Sequence, residues 1–327
     1  MVEVAIAAKK KAQGDNYVLY CGDCVEGLKT LESEKIGFVL FSPPFVNLYT
    51  FSDDPADFGN SNYGDFFQQF RFLSNELFRV MMPGRIVAIH CVDLPTFKRN
   101  GEEIGLEDFS GDIVRLFKKT GFIYHSRHCI WKDPLVAATR TKAIGLAHKQ
   151  IVKDSAMCRM GIPDYILAFR KPGENPEPIC HPNGLTEYPG SKSIPKDLDS
   201  WSGWDGEQRE NKRSQWIWQQ IASPVWMDVR QTKVLPFRQG KEPDDLKHIS
   251  PFQLDVVERC IILWSNPGDI VLDPFGGIGT TACIAVKMER KAISFELKES
   301  YWRQSCRNIK AAVQNKESLF DNTDGES

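Results

Sequence analysis

Two stretches decide the fold class of this chain: Ser42-Pro43-Pro44-Phe45 and Asp273-Pro274-Phe275-Gly276-Gly277-Ile278-Gly279-Thr280-Thr281. An apolar run precedes each of them, Ile36–Phe41 before the first and Asp269–Leu272 before the second. Continuous apolar runs of this length are typical of buried parallel strands. Glycines after the second run let the backbone approach a ligand closely, because a Cβ there would clash or require a positive φ. The sequence therefore predicts a parallel sheet with a ligand-binding turn at the end of one strand.

Alternating strands and helices extend from these two stretches along the chain. Buried strands are expected at Tyr17–Cys21, Ile36–Phe41, Arg85–Cys91, Ile123–Trp131, Asp164–Arg170, Asp269–Leu272 and Lys291–Glu296. Helical patterns fall between several strands: one ends before the turn Pro83-Gly84, one begins with Ser250 as N-cap and Pro251 in the first turn, and one covers 280–290. This order predicts an α/β fold whose mostly parallel sheet is covered by helices on both faces.

Composition is that of an ordinary globular protein. Of 327 residues, 42% are apolar and 26% are charged, with a formal net charge of -2. No apolar run reaches membrane-spanning length and the N-terminus lacks a signal-peptide pattern, so we expect a cytoplasmic protein without a membrane partner. Nine irregularly spaced cysteines argue against a disulfide framework. The single C-x-x-C at Cys21–Cys24 has no second pair, so no metal site is expected.

The alternation stops between about Gly173 and Pro236, and this suggests the domain organisation. The stretch is rich in Pro, Gly, Asn and Ser but contains five tryptophans, too many aromatic residues for a disordered linker. We interpret 173–236 as an inserted module, with a lid packed through its tryptophans as the alternative. Residues 15–172 and 237–314 then form the main domain, and 1–14 and 315–327 form a flexible arm and tail.

The chain contains a basic stretch although its net charge is near zero. From Arg115 to Lys171 there are twelve Lys and Arg residues against three acidic residues. Such a block is either a solvated face or a surface that binds phosphate groups.

The glycine turn by itself leaves two cofactor classes open. Gly277-x-Gly279-x-x-Ala282 fits a dinucleotide fingerprint, and Glu296 follows at about the distance where a carboxylate binds ribose hydroxyls. A nicotinamide-dependent dehydrogenase is therefore an alternative. Little chain remains after this unit to build the second half of a dinucleotide fold, which counts against that alternative.

Together, and in this order, the tetrapeptide and the glycine turn resemble the motifs of β-class DNA amino-methyltransferases, over nearly the whole chain. The resemblance implies a Rossmann-like, seven-stranded methyltransferase sheet in circularly permuted order, with the catalytic motif before the cofactor loop and 173–236 as the target-recognition region. It also implies S-adenosylmethionine as cofactor, double-stranded DNA with a flipped base as substrate, a role in DNA methylation or restriction-modification, and a homodimer. The implied catalytic residues are Ser42, Pro43, Pro44 and Phe45. The implied cofactor-binding residues are Asp23, Ser250, Asp273, Pro274, Phe275, Gly276, Gly277, Gly279, Thr280 and Glu296.

The family pattern also suggests individual roles. The three glycines would line the methionine part of the cofactor, Glu296 would hold the ribose, and Asp23 would approach the adenine amino group. Ser250 would lie against the methionine part.

The tetrapeptide suits methylation of an exocyclic amino group. The lone pair of this nitrogen is delocalised into the base, and acceptors that bind its hydrogens make it available for attack. Ser42 Oγ and the Pro43 carbonyl are two such acceptors, the prolines hold them in one geometry, and Phe45 offers a face on which a flipped base can stack. The hydroxyl pKa makes Ser42 unsuitable as a general base, so the proton is expected to leave to water. His90 and Cys91 are expected to be buried strand residues.

In the family that the chain resembles, serine at the first position is mostly associated with cytosine N4 and aspartate with adenine N6. The resemblance therefore favours cytosine N4 as the methyl acceptor, but only slightly, because both bases present an amino group whose hydrogen serine can bind. An RNA base methyltransferase and a DNA-binding protein that keeps the pocket without turnover are the alternative functions.

Overall fold

The computed structural model describes residues 9–44, 63–96, 105–136, 148–157, 160–237, 240 and 251–314. Within them the strands are β1 (Lys10–Gly14), β2 (Tyr17–Cys21), β3 (Ile36–Phe41), β4 (Met81–Cys91), β5 (Leu94–Pro95), β6 (Leu106–Glu107), β7 (Ile123–Ile130), β8 (Asp164–Arg170), β9 (Val225–Trp226), β10 (Ile270–Asp273) and β11 (Lys291–Glu296). The α-helices are α1 (Cys24–Lys29), α2 (Tyr63–Val80), α3 (Phe109–Thr120), α4 (His148–Ile151), α5 (Lys212–Ile221), α6 (Leu254–Trp264), α7 (Thr280–Lys287) and α8 (Glu299–Gln314).

The described part of the chain forms a large mixed sheet in the order β1-β2-β11-β10-β3-β4-β8-β7-β9. Strands β2, β11, β10, β3 and β4 are parallel neighbours, and β8 is antiparallel to both β4 and β7. The α/β class with a mostly parallel sheet is thus confirmed. The circularly permuted order stays a prediction.

The predicted count of seven strands is too low, because the sheet has nine strands within the described residues. The seven expected strands are the seven consecutive inner ones. The additional β1 and β9 lie at the two edges, and β9 has two residues, too few to produce a pattern in the sequence. Strand β1 pairs antiparallel with β2 over Lys10–Gly14, so this part of the expected flexible arm is ordered in the sheet.

Side chains alternate between the two faces of the sheet, and each face has its own apolar core. On β3, Val39 and Phe41 face the core formed with α1, α2 and α3, whereas Phe38 and Leu40 face the core formed with α6, α7 and α8. This is the doubly covered arrangement expected of buried parallel strands. Among the described residues, no helix is long and apolar enough to cross a membrane.

Several predicted element boundaries are wrong, among them those of β4 and α6. Strand β4 begins at Met81 and contains the expected turn Pro83-Gly84, where Gly84 has φ +73 and the register with β3 shifts. Helix α6 begins at Leu254 with Gln253 as N-cap, not at Ser250-Pro251. The amide of Leu254 donates a hydrogen bond to Lys233 O at 2.9 Å, and Gln253 is extended, so Phe252 precedes the helix.

The segment 173–236 shares the core of the main sheet. Strand β9 pairs with the end of β7, and the Trp226 side chain is fully buried. Helix α5 packs on α6 through Ile217 and Ile221 against Ile262. Trp226 of this segment thus packs into the core of the main sheet.

A buried cation joins this segment to α6. The Arg259 guanidinium donates hydrogen bonds to Asp228 Oδ2 at 2.8 Å and to Pro189 O at 2.7 Å, and it lies over the Trp226 ring. Arg259 is completely buried and Asp228 nearly so. Removal of one member of such a pair leaves the other charge buried without compensation.

We expect Arg259→Met to lower the free energy of unfolding by about 3–5 kcal/mol, because Asp228 loses its counter-charge. The double variant Arg259→Met/Asp228→Leu should recover most of this loss, because it removes both charges. Urea denaturation measures the free energy of unfolding of each variant. Arg303→Ala, which breaks an exposed ion pair with Glu299, is the control and should behave as wild type. A double variant as unstable as the single one would contradict this account.

Candidate functional site

The polar residues of the predicted site lie where neighbouring parallel strands end. Asp23 follows β2, Glu296 ends β11, Asp273 ends β10, and Ser42 follows β3. These four strands are adjacent in the sheet. Ligands of open α/β sheets bind at the carboxyl edge of the strands, so this edge is the candidate site.

Backbone hydrogen bonds fix the glycine loop between β10 and α7. Gly276 N donates to Phe295 O at 2.8 Å and Gly279 N donates to Gly276 O at 2.8 Å. Gly277 and Gly279 have φ values of +52 and +88, which L side chains rarely adopt. The predicted glycine turn is thus present, with Thr280 as the first residue of α7.

The loop is packed tightly on two sides and open at one point. A Cβ at Gly276 would lie 1.9 Å from Ser294 Oγ, and a Cβ at Gly279 would lie 2.8 Å from Ser305 Cβ on α8. At Gly277, which is half-buried, an added Cβ would meet no protein atom within 4 Å. A ligand can therefore approach the backbone at Gly277.

Two half-buried carboxylates flank this opening. Glu296 accepts hydrogen bonds from Gly277 N at 2.7 Å and from Lys298 N at 2.8 Å. Asp23 is the N-cap of α1 and accepts from Glu26 N at 2.8 Å. The two residues are close, because Gly22 N donates to Glu296 O at 3.0 Å. Both side chains have a structural role, and each carboxylate retains acceptor capacity for a ligand hydroxyl or amino group.

Asp273 is a buried acid behind the loop. Its Oδ1 accepts a hydrogen bond from Phe275 N at 3.0 Å. Burial raises the pKa of Asp273 to about 7, because the hydrogen bonds it accepts do not offset its desolvation. The carboxyl group therefore changes its charge near neutral pH, next to the candidate ligand site.

The serine–proline segment lies next to the glycine loop. Ser42 is half-buried and Pro43 is buried. The rings of Phe41 and Phe275, which precede Ser42 and Gly276, have centroids 5.7 Å apart. The structure thus brings together Ser42 and the loop, about 230 positions apart in the chain. Two predicted site residues, Phe45 and Ser250, lie outside the described residues.

Ser42 is the first member of a chain of polar side chains in contact with one another. The sequence did not predict these contacts. Ser42 Oγ lies 3.1 Å from His90 Nδ1, and His90 Nε2 lies 3.2 Å from Asp164 Oδ2. The other oxygen, Asp164 Oδ1, accepts a hydrogen bond from Lys132 Nζ. The Phe252 ring covers the imidazole with a centroid distance of 4.7 Å. His90 was expected to be only a buried strand residue.

Asp164 sets the hydrogen-bonding direction of this chain. Burial opposes its ionisation, but the Lys132 ammonium and the contact with His90 outweigh it, so the pKa of Asp164 lies below its usual value. The Nε2 to Oδ2 contact has an ion-pair distance but not the geometry of a hydrogen bond. An ionised carboxylate only accepts, so the neutral tautomer that fits this contact carries its hydrogen on Nε2. In that tautomer Nδ1 accepts from Ser42 Oγ–H, and the lone pairs of Ser42 are left to accept from a substrate N–H.

The described residues of the basic stretch from Arg115 to Lys171 are distributed over several elements, and among them Arg115, Lys132 and Lys171 have acidic partners. Arg115 pairs with Asp108 and Asp112, Lys132 pairs with Asp164, and Lys171 pairs with Glu34. The stretch is therefore not simply a reservoir of cations for phosphate groups.

Within 173–236, Asn211 and Arg230 have structural partners. Asn211 is buried as the N-cap of α5, where it accepts from Ser214 N, and Arg230 binds the Asp255 carboxylate with two nitrogens of its side chain. Lys212, Gln215 and Trp218 are exposed on α5.

The mostly parallel sheet covered on both faces, with the glycine loop and the serine–proline segment at one edge of adjacent strands, is a Rossmann-like fold of the kind that methyltransferases have. A family model described as DNA methylase, for N6 and N4 methyltransferases, matches residues 36–307. The chain belongs to this family.

Several known proteins are similar to the chain. The type II methyltransferase M.MjaI of Methanocaldococcus jannaschii is 28% identical over 226 residues, which are 69% of this chain and 61% of M.MjaI. The chain thus spans about three-fifths of the length of this relative. A DNA modification methylase of Thermus thermophilus, in complex with S-adenosyl-L-methionine, superposes with a TM-score of 0.59 at 21% identity over 92% of this chain and 97% of that one. PvuII DNA methyltransferase (cytosine-N4-specific) superposes with a TM-score of 0.59 at 18% identity over 96% of each chain. These two structures share the fold.

The Asp273 carboxyl group predicts a pH-dependent stability. Its pKa is higher in the folded than in the unfolded protein, so the folded state binds the proton more tightly and gains stability as the pH falls through about 7. Above this pH, the buried charge destabilises the fold. We expect Asp273→Asn to raise the free energy of unfolding of the ligand-free protein at pH 8, by an amount on the order of 1–4 kcal/mol.

This gain should decrease below pH 7 and become small near pH 4, where the carboxyl group is protonated in the folded state and about half protonated in the unfolded state. Urea denaturation between pH 4 and 8.5 measures it, with the exposed Asp15→Asn as control. A gain that is the same at pH 4 and pH 8 would rule out the titration of Asp273 as its cause.

Proposed function

We propose that the protein is an S-adenosylmethionine-dependent DNA methyltransferase that methylates the exocyclic amino group of a flipped base. The observation that supports this most is the position of Ser42, at the end of β3, beside the glycine loop that follows the adjacent strand β10. A methyl donor over the loop and a base over Ser42 would then meet at one edge of the sheet.

The residues of the loop fit S-adenosylmethionine. The open, half-buried Gly277 allows close approach of the ligand. Because S-adenosylmethionine has no pyrophosphate, it does not require the backbone N–H groups that bind such an anion. Glu296 can accept from ribose hydroxyls and Asp23 from an adenine amino group, since the two carboxylates are neighbours. Bound there, the cofactor would supply an electrophilic methyl group on a positively charged sulfur.

Ser42 and Pro43 would prepare the amino group for attack. Two acceptors that bind its hydrogens localise the nitrogen lone pair, and a fixed geometry lowers the entropic cost of alignment. With the hydrogen of neutral His90 on Nε2, Ser42 directs its own hydrogen to Nδ1 and can accept from the base. We further propose cytosine N4 as the acceptor, narrowly ahead of adenine N6, because the first residue of the motif is serine.

Residues 173–236 are proposed to contact the DNA, with the exposed Lys212, Gln215 and Trp218 of α5 available to it. A homodimer, the cytoplasmic location and a role in restriction-modification remain predictions from the resemblance.

The first test identifies the product. The purified protein is incubated with isotope-labelled S-adenosylmethionine and unmethylated double-stranded DNA, and the digested nucleosides are analysed by mass. We expect N4-methylcytosine. Ser42→Ala should reduce the rate at least about a hundredfold, because it removes a preorganised hydrogen-bonding group, while a mobility-shift assay shows unchanged DNA binding. Detection of N6-methyladenine would show that the acceptor base is adenine and would leave the rest of the proposed function unchanged. Label transferred only to an RNA control, or to no substrate, would overturn the proposed function.

A second test addresses the cofactor loop. In Gly277→Ala the added methyl group meets no protein atom, so it would project into the space proposed for the ligand. We expect the Kd for S-adenosylmethionine, measured by calorimetry, to rise at least about tenfold, which is about 1.4 kcal/mol.

The control is Gly268→Ala, at the opposite end of β10. Gly268 has a similar positive φ of +83 and also has no protein atom within 4 Å of an added Cβ. Alanine at a positive φ causes a similar backbone strain in both variants, but Gly268→Ala should bind the cofactor like wild type. Equal losses of affinity in the two variants would point to strain instead of ligand contact.

A further inference from the structure

The chain Ser42–His90–Asp164–Lys132 has more components than the orientation of one hydroxyl group requires. His90 and Asp164 are buried, and Phe252 covers the imidazole ring. Each carboxylate oxygen of Asp164 faces a different group, Oδ2 the imidazole and Oδ1 the Lys132 ammonium. A carboxylate behind an imidazole stabilises the protonated ring, which is the arrangement by which histidine accepts a proton from a hydroxyl group.

We propose that His90 is the proton acceptor of the methyl-transfer reaction and takes up, through Ser42, the proton that the methylated amino group releases. This inference rests on the proposed function. His90 acts through Ser42 and so is a positioning and proton-accepting residue behind the substrate.

The atoms and charges balance along this route. The lone pair of the amino nitrogen forms the bond to the methyl carbon as the carbon–sulfur bond breaks, and that electron pair remains on sulfur. The nitrogen is now positively charged, and one N–H bond breaks with its electron pair left on nitrogen. The proton passes to Ser42 Oγ while the Ser42 hydroxyl proton passes to His90 Nδ1. The positive charge is then on the imidazole, 3.2 Å from Asp164 Oδ2, and release of the proton to water restores His90.

Ser42 remains neutral throughout. Its high pKa excludes it as a base acting alone, but a hydroxyl group that gains one proton as it loses another needs no ionised form. Direct loss of the proton to water, as expected from the sequence, requires a water molecule at the amino group itself.

The charged groups near His90 stabilise the imidazolium that the reaction forms. On the β8 side the imidazole faces Asp164, with Lys132 behind it; on the β3 side it faces Ser42, and before α6 it faces the uncharged Phe252. Asp164→Asn removes the negative charge beside the imidazole, so it should lower the rate of methyl transfer while the Kd for the cofactor and for DNA stays unchanged.

The test uses single-turnover rates with labelled S-adenosylmethionine and the DNA substrate. His90→Phe keeps a flat ring against Phe252 but accepts no proton, and we expect its rate to fall about a hundredfold with unchanged Kd for the cofactor and for DNA. His90→Asn keeps a hydrogen-bond acceptor for Ser42 but cannot take up a proton, and its rate should be similarly low. The control is His128→Phe, which alters another buried histidine stacked on an aromatic ring, that of Trp226, and it should retain the wild-type rate.

Three results would overturn the inference: a His90→Phe rate close to wild type, a His90→Asn variant that recovers the wild-type rate, or an Asp164→Asn variant with the wild-type rate. The cofactor Kd and thermal unfolding of each variant identify a folding defect, and the single-turnover rate of a folded variant then decides. A wild-type protein that methylates no nucleic acid would refute the proposed function itself, whereas an active wild type with an unaffected His90→Phe refutes this inference alone.

Discussion

The hydrogen-bonded pairing of β10 with β3 is the constraint on which the candidate site depends. Val271 pairs with Phe38 and Leu272 with Val39, in parallel, at the centre of the sheet. This register places the end of β10, with its glycine loop, next to the end of β3, with Ser42. Because both faces of these strands are buried under helices, a one-residue slip would move every side chain of a strand to the opposite face. The distance between the loop and Ser42 is therefore fixed by the core.

Buried charges occur where they join separate elements. Arg259 joins α6 to the segment before β9 through Asp228, and Arg85 pairs with Asp269 at the beginning of β10. Such pairs contribute little net stability relative to apolar residues, but they penalise any arrangement in which one partner is left alone. The Asp164 carboxylate differs from these two, because it contacts a histidine that is connected to Ser42. This connection gives the buried charge a role in the proposed chemistry.

The sequence predicted much of the fold because the inner strands have strong local patterns. The bounds of β2, β3, β8 and β11 were predicted correctly. The edges were missed for physical reasons: Lys10–Gly14 has mixed exposure and becomes a strand only by pairing with β2, and Val225–Trp226 is too short to show periodicity. The start of α6 was misplaced because Ser250-Pro251 has the composition of a helix N-terminus, whereas tertiary contacts of the preceding segment delay the helix to Leu254.

One part of the candidate site was likewise predicted from the sequence, and another part was not. The glycines and the serine–proline segment were found from the sequence alone, because a tight turn and a rigid tetrapeptide are local properties of consecutive residues. The chain from Ser42 to Lys132 was not found, because its members belong to β3, β4, β8 and the segment after β7, and nothing in their spacing indicates that they meet. Their contact depends on β8 being antiparallel to β4, which sets His90 opposite Ile166 and brings the beginning of β8, with Asp164, to the edge where β4 ends. The sequence by itself determined the class of protein and the residues of its two motifs, while only the tertiary structure decided what lies behind Ser42, because strand order and direction arise from long-range packing.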